Sequence, residues 1–375
     1  MQKRATLART AWFPSLALAV TALVACGDVT GDGTPGRATR PATATIAPDE
    51  PSSTANDVPA PASTNNPRSQ DAGLSGADAS ADVGPPLVPH AKPSECFVNQ
   101  LGPVVGPNYD QFAPKMGVHC DGTQQQKITG VEKLVFLGDS VTAGTPPTPI
   151  NQFYRSIVTD GIKQRFGQNV AVSDCSKWGA RNDDLNTQPG GKDKGQIDQC
   201  FPTGVEQKKT LVVMTMGGND IAAWAKAQLA GPAATTEADA AGDQLATALR
   251  WLKDPVHFPN GSYVIFANVY EYTDTSGDVL SCPAAGLSGF KANYAQGTDA
   301  IVHFQELYMK HAVETGTDVV FLLENFCGHG YKRDDPKLQC YRGPNTDLWF
   351  DLTCYHPNPV GHSKIAEYVL RIVDG

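Results

Sequence analysis

The chain of 375 residues lacks several patterns that would assign it to well-known chemistries. Its nine cysteines include no Cys-x-x-Cys pair, which argues against zinc sites and thioredoxin-like chemistry. There is no Gly-x-Ser-x-Gly elbow and no His-Glu-x-x-His pair, so neither an α/β-hydrolase nor a zinc protease is supported. The formal net charge of −9 disfavours nucleic acid as a partner, because nucleic acids bind basic patches.

Aromatic residues are missing from a long N-terminal stretch, with none between Phe13 and Phe97. Residues 26–92 are instead rich in Ala, Thr, Pro, Ser, Gly, Asp and Asn. Such a segment cannot bury enough apolar surface to offset the entropy lost on ordering. The composition predicts a disordered tether, and the alternative is a segment that binds a cell-wall or surface polymer.

The first 25 residues are typical of an export signal. Three basic side chains and no acidic one precede an apolar stretch over residues 12–25, which is shorter than the ~20 residues that span a bilayer. Cys26 follows Leu-Val-Ala, as in a bacterial lipobox, and predicts a lipidated mature N-terminus. The protein is therefore expected to be exported and anchored in a membrane on the periplasmic or cell-surface side. The alternative is an ordinary signal peptide in which Cys26 is incidental. Without residues 1–25 the charge becomes −12, three units more negative.

Eight cysteines remain after Cys26, and an even number in an exported chain indicates up to four disulfides. Nearness along the chain suggests the pairs Cys96–Cys120 and Cys175–Cys200. The last four would then pair among themselves: Cys282, Cys327, Cys340 and Cys354.

Residues 93–375 show a regular alternation of strand and helix patterns, which predicts an α/β fold with a parallel sheet covered on both sides. The active site of such a fold lies beyond the carboxyl ends of the strands. Residues 93–130 precede the first strand and are interpreted as an N-terminal flap. The predicted strands are Leu134–Leu137, Val170–Val172, Leu211–Met216, Tyr263–Ala267 and Val319–Leu323. The predicted helices are Phe153–Phe166, Asp239–Leu252, Ala300–Thr315 and Gly361–Val373.

Four short motifs occur in a characteristic order at the ends of these elements. Gly-Asp-Ser140 follows the first strand, Trp-Gly179-Ala the second and Gly-Gly-Asn219-Asp the third, while His356-Pro-Asn opens the last helix. None is specific alone, but together they resemble the four blocks of the SGNH family of ester hydrolases, also called GDSL hydrolases.

The resemblance implies a three-layer α/β/α sandwich with a five-stranded parallel sheet, as in flavodoxin-like folds. It implies that Ser140 is the nucleophile and His356 the base that takes its proton. The backbone N–H groups of Ser140 and Gly179 and the side-chain amide of Asn219 would form the oxyanion hole. The reaction would need an ester substrate and neither cofactor nor metal.

The sequence departs from the family at the third member of the triad, because Thr353 stands three residues before His356, where an Asp is usual. Three readings are open. Asp351 reaches the imidazole if Cys354, in a disulfide, kinks the loop; a backbone carbonyl near Thr353 orients the ring in a Ser-His dyad; or the enzyme is weak. The first is favoured slightly, since an ionised partner also stabilises the imidazolium.

The substrate is not readable from the motifs. The leading hypothesis is hydrolysis of lipid or short acyl esters. An alternative is a carbohydrate acetyl esterase, for which Trp178, Trp224, Trp251 and Trp349 would stack on sugar rings, although aromatic residues are more often core. An alternative of another class is a non-catalytic surface-binding lipoprotein on a disused hydrolase scaffold.

Overall fold

The computed structural model describes residues 89–188 and 194–375. The predicted signal peptide, Cys26 and nearly all of the predicted tether lie outside these residues. Within the described ranges, no helix is both long and apolar enough to cross a membrane.

Five parallel strands form one sheet, as the alternation predicted. In chain order they are β1 Lys133–Gly138, β2 Ala171–Asp174, β3 Thr210–Thr215, β4 Ser262–Ala267 and β5 Asp318–Val320. Their spatial order is β2-β1-β3-β4-β5, the doubly wound order of flavodoxin-like folds. The strand order reverses between β1 and β3, and a crevice at the carboxyl ends of the strands is expected at such a point.

Burial explains which sequence runs became strands. Every residue of β3 is buried, as a central strand covered on both faces requires. At the edge of the sheet, β2 alternates between half-buried and exposed residues, and Val172 is 41% exposed.

Helices cover the two faces of the sheet. Helix α3 packs against α9, and α6 packs against α7. The helices in the described residues are α1 Pro93–Cys96, α2 Ser140–Ala143, α3 Tyr154–Phe166, α4 Gln196–Cys200, α5 Gly218–Lys226, α6 Gly231–Lys253, α7 Thr298–Thr315, α8 Leu322–Phe326 and α9 Pro359–Asp374. Short 3₁₀ turns lie at Tyr109–Phe112, Ile150–Gln152, Asn182–Leu185, Val279–Ser281 and Ala295–Gly297.

Two elements differ from the sequence-based expectation by more than two residues at one end. The apolar run predicted as the strand Val319–Leu323 divides, because β5 ends at Val320 and α8 begins at Leu322. A short buried apolar run cannot by periodicity alone be told from a buried helical turn. The helix expected over Asp239–Leu252 begins eight residues earlier, at Gly231.

Residues 93–130 pack against the part of the sheet that ends at the edge strand β5. Tyr109 is buried and stacks on Phe321 with 6.0 Å between ring centroids. Thr123 donates its backbone N–H to the carbonyl of Val319 at 2.9 Å, so this segment runs beside the edge strand β5. The segment thus covers a sheet edge that would otherwise present unpaired backbone groups. Motion of this segment as a flap stays a prediction.

Four disulfides are present in the described residues. Cys96–Cys120 and Cys175–Cys200 confirm the two predicted pairs. The remaining four cysteines pair among themselves, as predicted, in the combination Cys282–Cys354 and Cys327–Cys340. Four disulfides are typical of an extracellular or exported protein.

Candidate active site

Ser140 lies at the carboxyl end of β1, on a turn that is fixed by buried hydrogen bonds. The Asp139 carboxylate accepts the backbone N–H of Val141 and the hydroxyl of Thr215, both at 2.9 Å, and so ties the first turn of α2 to β3. Gly138 has φ 128°, and a Cβ there would lie 2.3 Å from the carbonyl oxygen of Thr215. The turn therefore requires glycine before Asp139 and holds Ser140 rigidly.

His356 meets Ser140 directly. Its Nε2 lies 2.8 Å from Ser140 Oγ, although 216 positions separate the two residues in the chain. The ring is only 8% exposed, and this burial lowers the pKa of His356 to about 4. The imidazole is therefore neutral near pH 7, and neutrality is the state that accepts a proton from a hydroxyl.

The second ring nitrogen of His356 faces Thr353, not Asp351. Thr353 Oγ1 lies 2.7 Å from His356 Nδ1 and 2.5 Å from Asp351 Oδ1. The favoured sequence-based reading, in which Asp351 contacts the imidazole directly, is thus corrected. The Thr353 hydroxyl lies between the two groups. The side chain of Thr353 also takes the place of the backbone carbonyl in the second reading.

A second hydrogen bond from Thr353 holds the Asp351 carboxylate in this indirect contact with His356. Its Oδ1 also accepts the backbone N–H of Thr353 at 2.8 Å, while its buried Oδ2 has no hydrogen-bond partner. Burial raises the pKa of Asp351 to about 6. At neutral pH the carboxylate is ionised and can only accept, so the Thr353 hydroxyl must donate to it.

The loop that carries these groups is sharply bent and pinned from several sides. Cys354 has φ 82°, a left-handed conformation that is uncommon for residues other than glycine, and is disulfide-bonded to Cys282. The hydroxyl of Tyr331 donates to the Asp351 carbonyl at 2.7 Å, and that of Tyr270 to the Tyr355 carbonyl at 2.8 Å. The loop is thus kinked at the disulfide-bonded Cys354, and the kink presents the Thr353 hydroxyl to the ring.

The third motif begins α5. Gly217, with φ 100°, is the residue before the helix, and a Cβ there would lie 2.3 Å from the hydroxyl oxygen of Tyr308. Asn219 and Asp220 therefore belong to the first turn of α5, which begins at Gly218. The side chain of Asn219 donates from Nδ2 to the Ala180 carbonyl at 2.9 Å.

Gly179 lies on the loop after β2, immediately before Ala180. It is exposed with φ 75°, and a Cβ built on it meets no atom within 4 Å. The loop is attached to the Ser140 turn through Lys177, whose N–H donates to the Gly138 carbonyl at 2.9 Å. The Trp178 indole N–H also donates to the Gly144 carbonyl at 3.0 Å. The second motif is thus bonded to both the first and the third.

Ser140, Asn219 and His356 border one cavity of about 360 Å³, whereas Gly179 is on the adjoining loop and does not line it. This volume falls within the usual range for small-molecule sites, ~300–1,000 Å³. Three of the four motifs therefore open on a common space at the carboxyl ends of β1 and β3.

A family model described as the GDSL-like Lipase/Acylhydrolase family matches residues 136–364, more than half of the chain. All four motifs lie within the matched range. The chain belongs to this family. It is a serine hydrolase of carboxylic esters, as the motif order predicted. No curated protein sequence matches the chain.

Several solved structures resemble the fold of this GDSL hydrolase at low identity. A gut microbial diltiazem-metabolizing enzyme has a TM-score of 0.44 and 15% identity over 67% of this chain and 49% of its own, so the chain spans about half its length. The acetyl xylan esterase AlAXEase has a TM-score of 0.42 and 16% identity over 64% of this chain and 99% of its own. Phospholipase A1 from Streptomyces albidoflavus NA297 has a TM-score of 0.41 and 15% identity over 65% and 98% of the two chains. Similarities of this size carry no information about the substrate.

Sequence reasoning missed two features of this GDSL hydrolase site. None of the three sequence-based readings includes the Thr353 hydroxyl as the partner of His356, although its position three residues before the histidine is the available signal. Asp220 has no role in the sequence-based account of the site, but its Oδ2 accepts the backbone N–H of Asn182 at 3.2 Å. Burial raises the pKa of Asp220 to about 7. This contact ties the loop after β2 to α5.

One group of possible metal ligands occurs in the described ranges, namely His90 with Cys96 and Cys120. The disulfide between the two cysteines consumes both thiolates, so this group does not offer the ligands that a metal would need. It also includes no residue of the Ser140–His356 site.

Proposed function

We propose that Ser140 and His356 are the nucleophile and general base of this ester hydrolase, with Thr353 and Asp351 orienting the base. The observation that carries the proposal is the 2.8 Å contact between His356 Nε2 and Ser140 Oγ, combined with a ring whose burial keeps it neutral. Nucleophile, base and orienting group are each within hydrogen-bond reach of the next, as covalent catalysis by serine requires.

The ionisation of Asp351 determines the direction of the hydrogen bonds between Asp351, Thr353 and His356. An ionised Asp351 accepts the Thr353 hydroxyl proton, so the Thr353 oxygen accepts the N–H of His356 Nδ1. The lone pair of Nε2 is then free to accept the proton of Ser140. The threonine therefore selects the ring tautomer that catalysis needs, which is the task of the aspartate in a Ser-His-Asp triad.

The proposed reaction has two halves. Ser140 Oγ attacks the ester carbonyl while His356 Nε2 takes its proton, and the imidazolium then protonates the departing alcohol to leave an acyl-serine. Water attacks the acyl-serine with the same proton transfers, and the acid and Ser140 are released. Asp351 stabilises the transient imidazolium through the Thr353 hydroxyl and keeps its charge throughout.

The oxyanion is assigned to the N–H groups of Ser140 and Gly179 and the amide of Asn219. The Asn219 amide has two N–H donors, and only one is used by the Ala180 carbonyl. The second is available to a substrate oxygen in the cavity that Asn219 lines. The bond to Ala180 fixes the amide orientation before substrate arrives, as preorganised stabilisation of an oxyanion requires.

The test is hydrolysis of p-nitrophenyl butyrate by the purified protein and by Ser140→Ala, with Ser156→Ala on α3 as a matched control. We expect turnover to disappear in Ser140→Ala alone. A fluorophosphonate should also attach to Ser140, as seen by peptide mass analysis. Undiminished turnover in a folded Ser140→Ala protein, or labelling elsewhere, would refute the assignment. A folded wild-type protein that turns over no ester would favour the non-catalytic alternative.

We further propose export and anchoring through a lipidated Cys26, which rests on the N-terminal sequence and on the four disulfides. Expression with radiolabelled palmitate should label the wild-type protein and leave Cys26→Ser unlabelled. If the wild-type protein loses its signal peptide but carries no label, an ordinary signal peptide would be supported instead.

A further inference from the structure

We infer that the cavity beside Ser140 binds a medium-length acyl chain, of about eight to twelve carbons, so that the enzyme prefers such esters to acetyl esters. The inference rests on the proposed function of Ser140, and it specifies the substrate class. It is argued from the composition, shape and size of the cavity.

Helix α5 leads from the candidate oxyanion hole along one wall of the cavity. Asn219 is in its first turn, and Ile221, Ala222 and Ala225 also line the space. Positions three apart lie on one face of a helix, so Ala222 and Ala225 continue the face that carries Asn219. With a rise of ~1.5 Å per residue, the wall from Asn219 to Ala225 is about 9 Å long. The small side chains of Ala222 and Ala225 leave the cavity open beside this helix.

The remaining walls are also mainly apolar, and they come from distant parts of the chain. Helix α7 contributes Ile301 and Val302, and the loop before it contributes Phe290. Val105 and Pro107 close another side from the N-terminal segment. The cavity is thus lined by several elements and extends well beyond the reacting atoms.

The acidic groups at the cavity wall are already engaged by the protein. Glu271 accepts the backbone N–H groups of Thr273 and Thr275 at 2.5 and 2.6 Å. Glu324 accepts the side-chain amide of Asn268 at 2.8 Å through Oε2, while its buried Oε1 has no hydrogen-bond partner. A sugar would require several free donors and acceptors, whereas only one of these four carboxylate oxygens is without a partner.

The tryptophans proposed for sugar stacking lie elsewhere. Trp224 and Trp349 are buried, at 4% and 7% exposure, and Trp251 stacks on His257 with 4.2 Å between centroids. Trp178 is exposed beside the Ser140 turn, but none of the four lines the cavity. None of the four tryptophans therefore offers a sugar-stacking surface inside the cavity.

The cavity volume sets the length of the chain. A water molecule takes ~30 Å³ in the liquid, so 360 Å³ accommodates roughly a dozen heavy atoms. An acetyl group would leave most of this space unfilled. Each further buried methylene contributes about fourfold in binding, so we expect kcat/KM to rise at least about a hundredfold from acetate to octanoate.

The test measures kcat/KM for p-nitrophenyl esters from acetate to palmitate in the full-length protein, in Ala222→Phe and in the control Ala223→Phe. Ala222 lines the cavity, while Ala223 on the same helix does not. We expect the octanoate-to-acetate ratio to fall at least tenfold in Ala222→Phe and to stay at its wild-type value in Ala223→Phe. If Ala222→Phe fails to fold, Val302→Phe serves the same purpose.

Two outcomes would overturn the inference while the serine mechanism stands. The first is a wild-type preference for acetate, with turnover that Ser140→Ala abolishes. The second is a rate that rises with the length of the alcohol in a series of alkyl acetates, and not with the acyl chain. Absence of turnover on every ester by folded protein would instead count against the proposed function itself.

Discussion

Thr353 is the residue that most distinguishes this site. Its hydroxyl joins His356 Nδ1 at 2.7 Å to Asp351 Oδ1 at 2.5 Å, so a charge lies two hydrogen bonds from the ring. A hydroxyl both donates and accepts, and it can therefore transmit orientation from a carboxylate to an imidazole. Thr353 occupies the position at which the family usually has Asp, and its hydroxyl connects the Asp351 carboxylate to His356.

Replacing Thr353 with valine keeps the shape of the side chain and removes the hydroxyl. The N–H of His356 then loses its partner in a buried site, a loss worth about 1.5–3 kcal/mol for a bond that becomes charge-assisted during catalysis. We expect kcat/KM to fall about 10- to 150-fold. Thr353→Ser should retain most activity, because the hydroxyl remains. Equal activity of the valine and serine variants would show that the hydroxyl has no positioning role.

The pH profile should report both titrating groups. His356 works when neutral, and its pKa is lowered to about 4, so protonation abolishes kcat/KM only as pH falls towards 4. Asp351 works when ionised, and its pKa is raised to about 6, so a partial loss should appear as pH falls through 6. Asp351→Asn should lower kcat, change stability little, and remove the upper step. A single step near pH 6.5, unchanged in Asp351→Asn, would contradict this account.

At the scale of elements, the loop between α8 and α9 decides the geometry of the site. Its end is secured where Asn358 caps α9, accepting the N–H groups of Val360 and Gly361 at 2.9 and 3.0 Å. Its middle is secured at Cys354, whose left-handed backbone is tied to Cys282. The segment that presents Thr353 and His356 is thus held in its middle and at its end.

Removing the Cys282–Cys354 disulfide should therefore impair catalysis beyond its effect on stability. In the double variant Cys282→Ala/Cys354→Ala we expect at least a tenfold loss of kcat at a temperature well below the melting temperature. The double variant Cys96→Ala/Cys120→Ala is the control, because this disulfide lies on the N-terminal segment and not on the loop that carries His356. Its loss should lower the free energy of unfolding by a similar amount, since a disulfide typically stabilises by ~2–4 kcal/mol. Equal losses of kcat in the two variants would argue that only stability is affected.

At the scale of the whole molecule, the doubly wound sheet brings the first and third motifs together. The ends of β1 and β3 are neighbours in the sheet, so Ser140 and Asn219 meet although 79 positions separate them in the chain. The N-terminal segment contributes Val105 and Pro107 to the cavity wall and then runs beside the edge strand β5. The segment is therefore part of the enzyme domain.

Truncation should separate the predicted tether from this domain. A chain beginning at residue 89 keeps the Cys96–Cys120 disulfide and the cavity wall, and we expect its activity to match that of the longer protein. A chain beginning at residue 131 loses both, together with the bond from Gln126 Nε2 to the Val264 carbonyl at 2.8 Å. It should melt at a lower temperature and lose its preference for longer acyl chains. Wild-type behaviour of the shorter chain would show that the segment is dispensable.

The sequence by itself determined the parts of this protein that depend on local pattern. Strand-length apolar runs predicted all five strands, because buried parallel strands are apolar along their length. The order of four motifs at strand ends predicted Ser140, Asn219 and His356 as neighbours, since parallel strands gather their carboxyl ends at one edge. Nearness along the chain sufficed for two disulfides.

Only the tertiary structure decided how the triad is completed and what surrounds it. Whether Asp351 or Thr353 touches the ring depends on the backbone at Cys354, and this is bound to Cys282, which lies 72 positions away. The cavity is likewise assembled from segments that are far apart in the chain. Its size depends on how their side chains pack in three dimensions, and no local pattern carries that information.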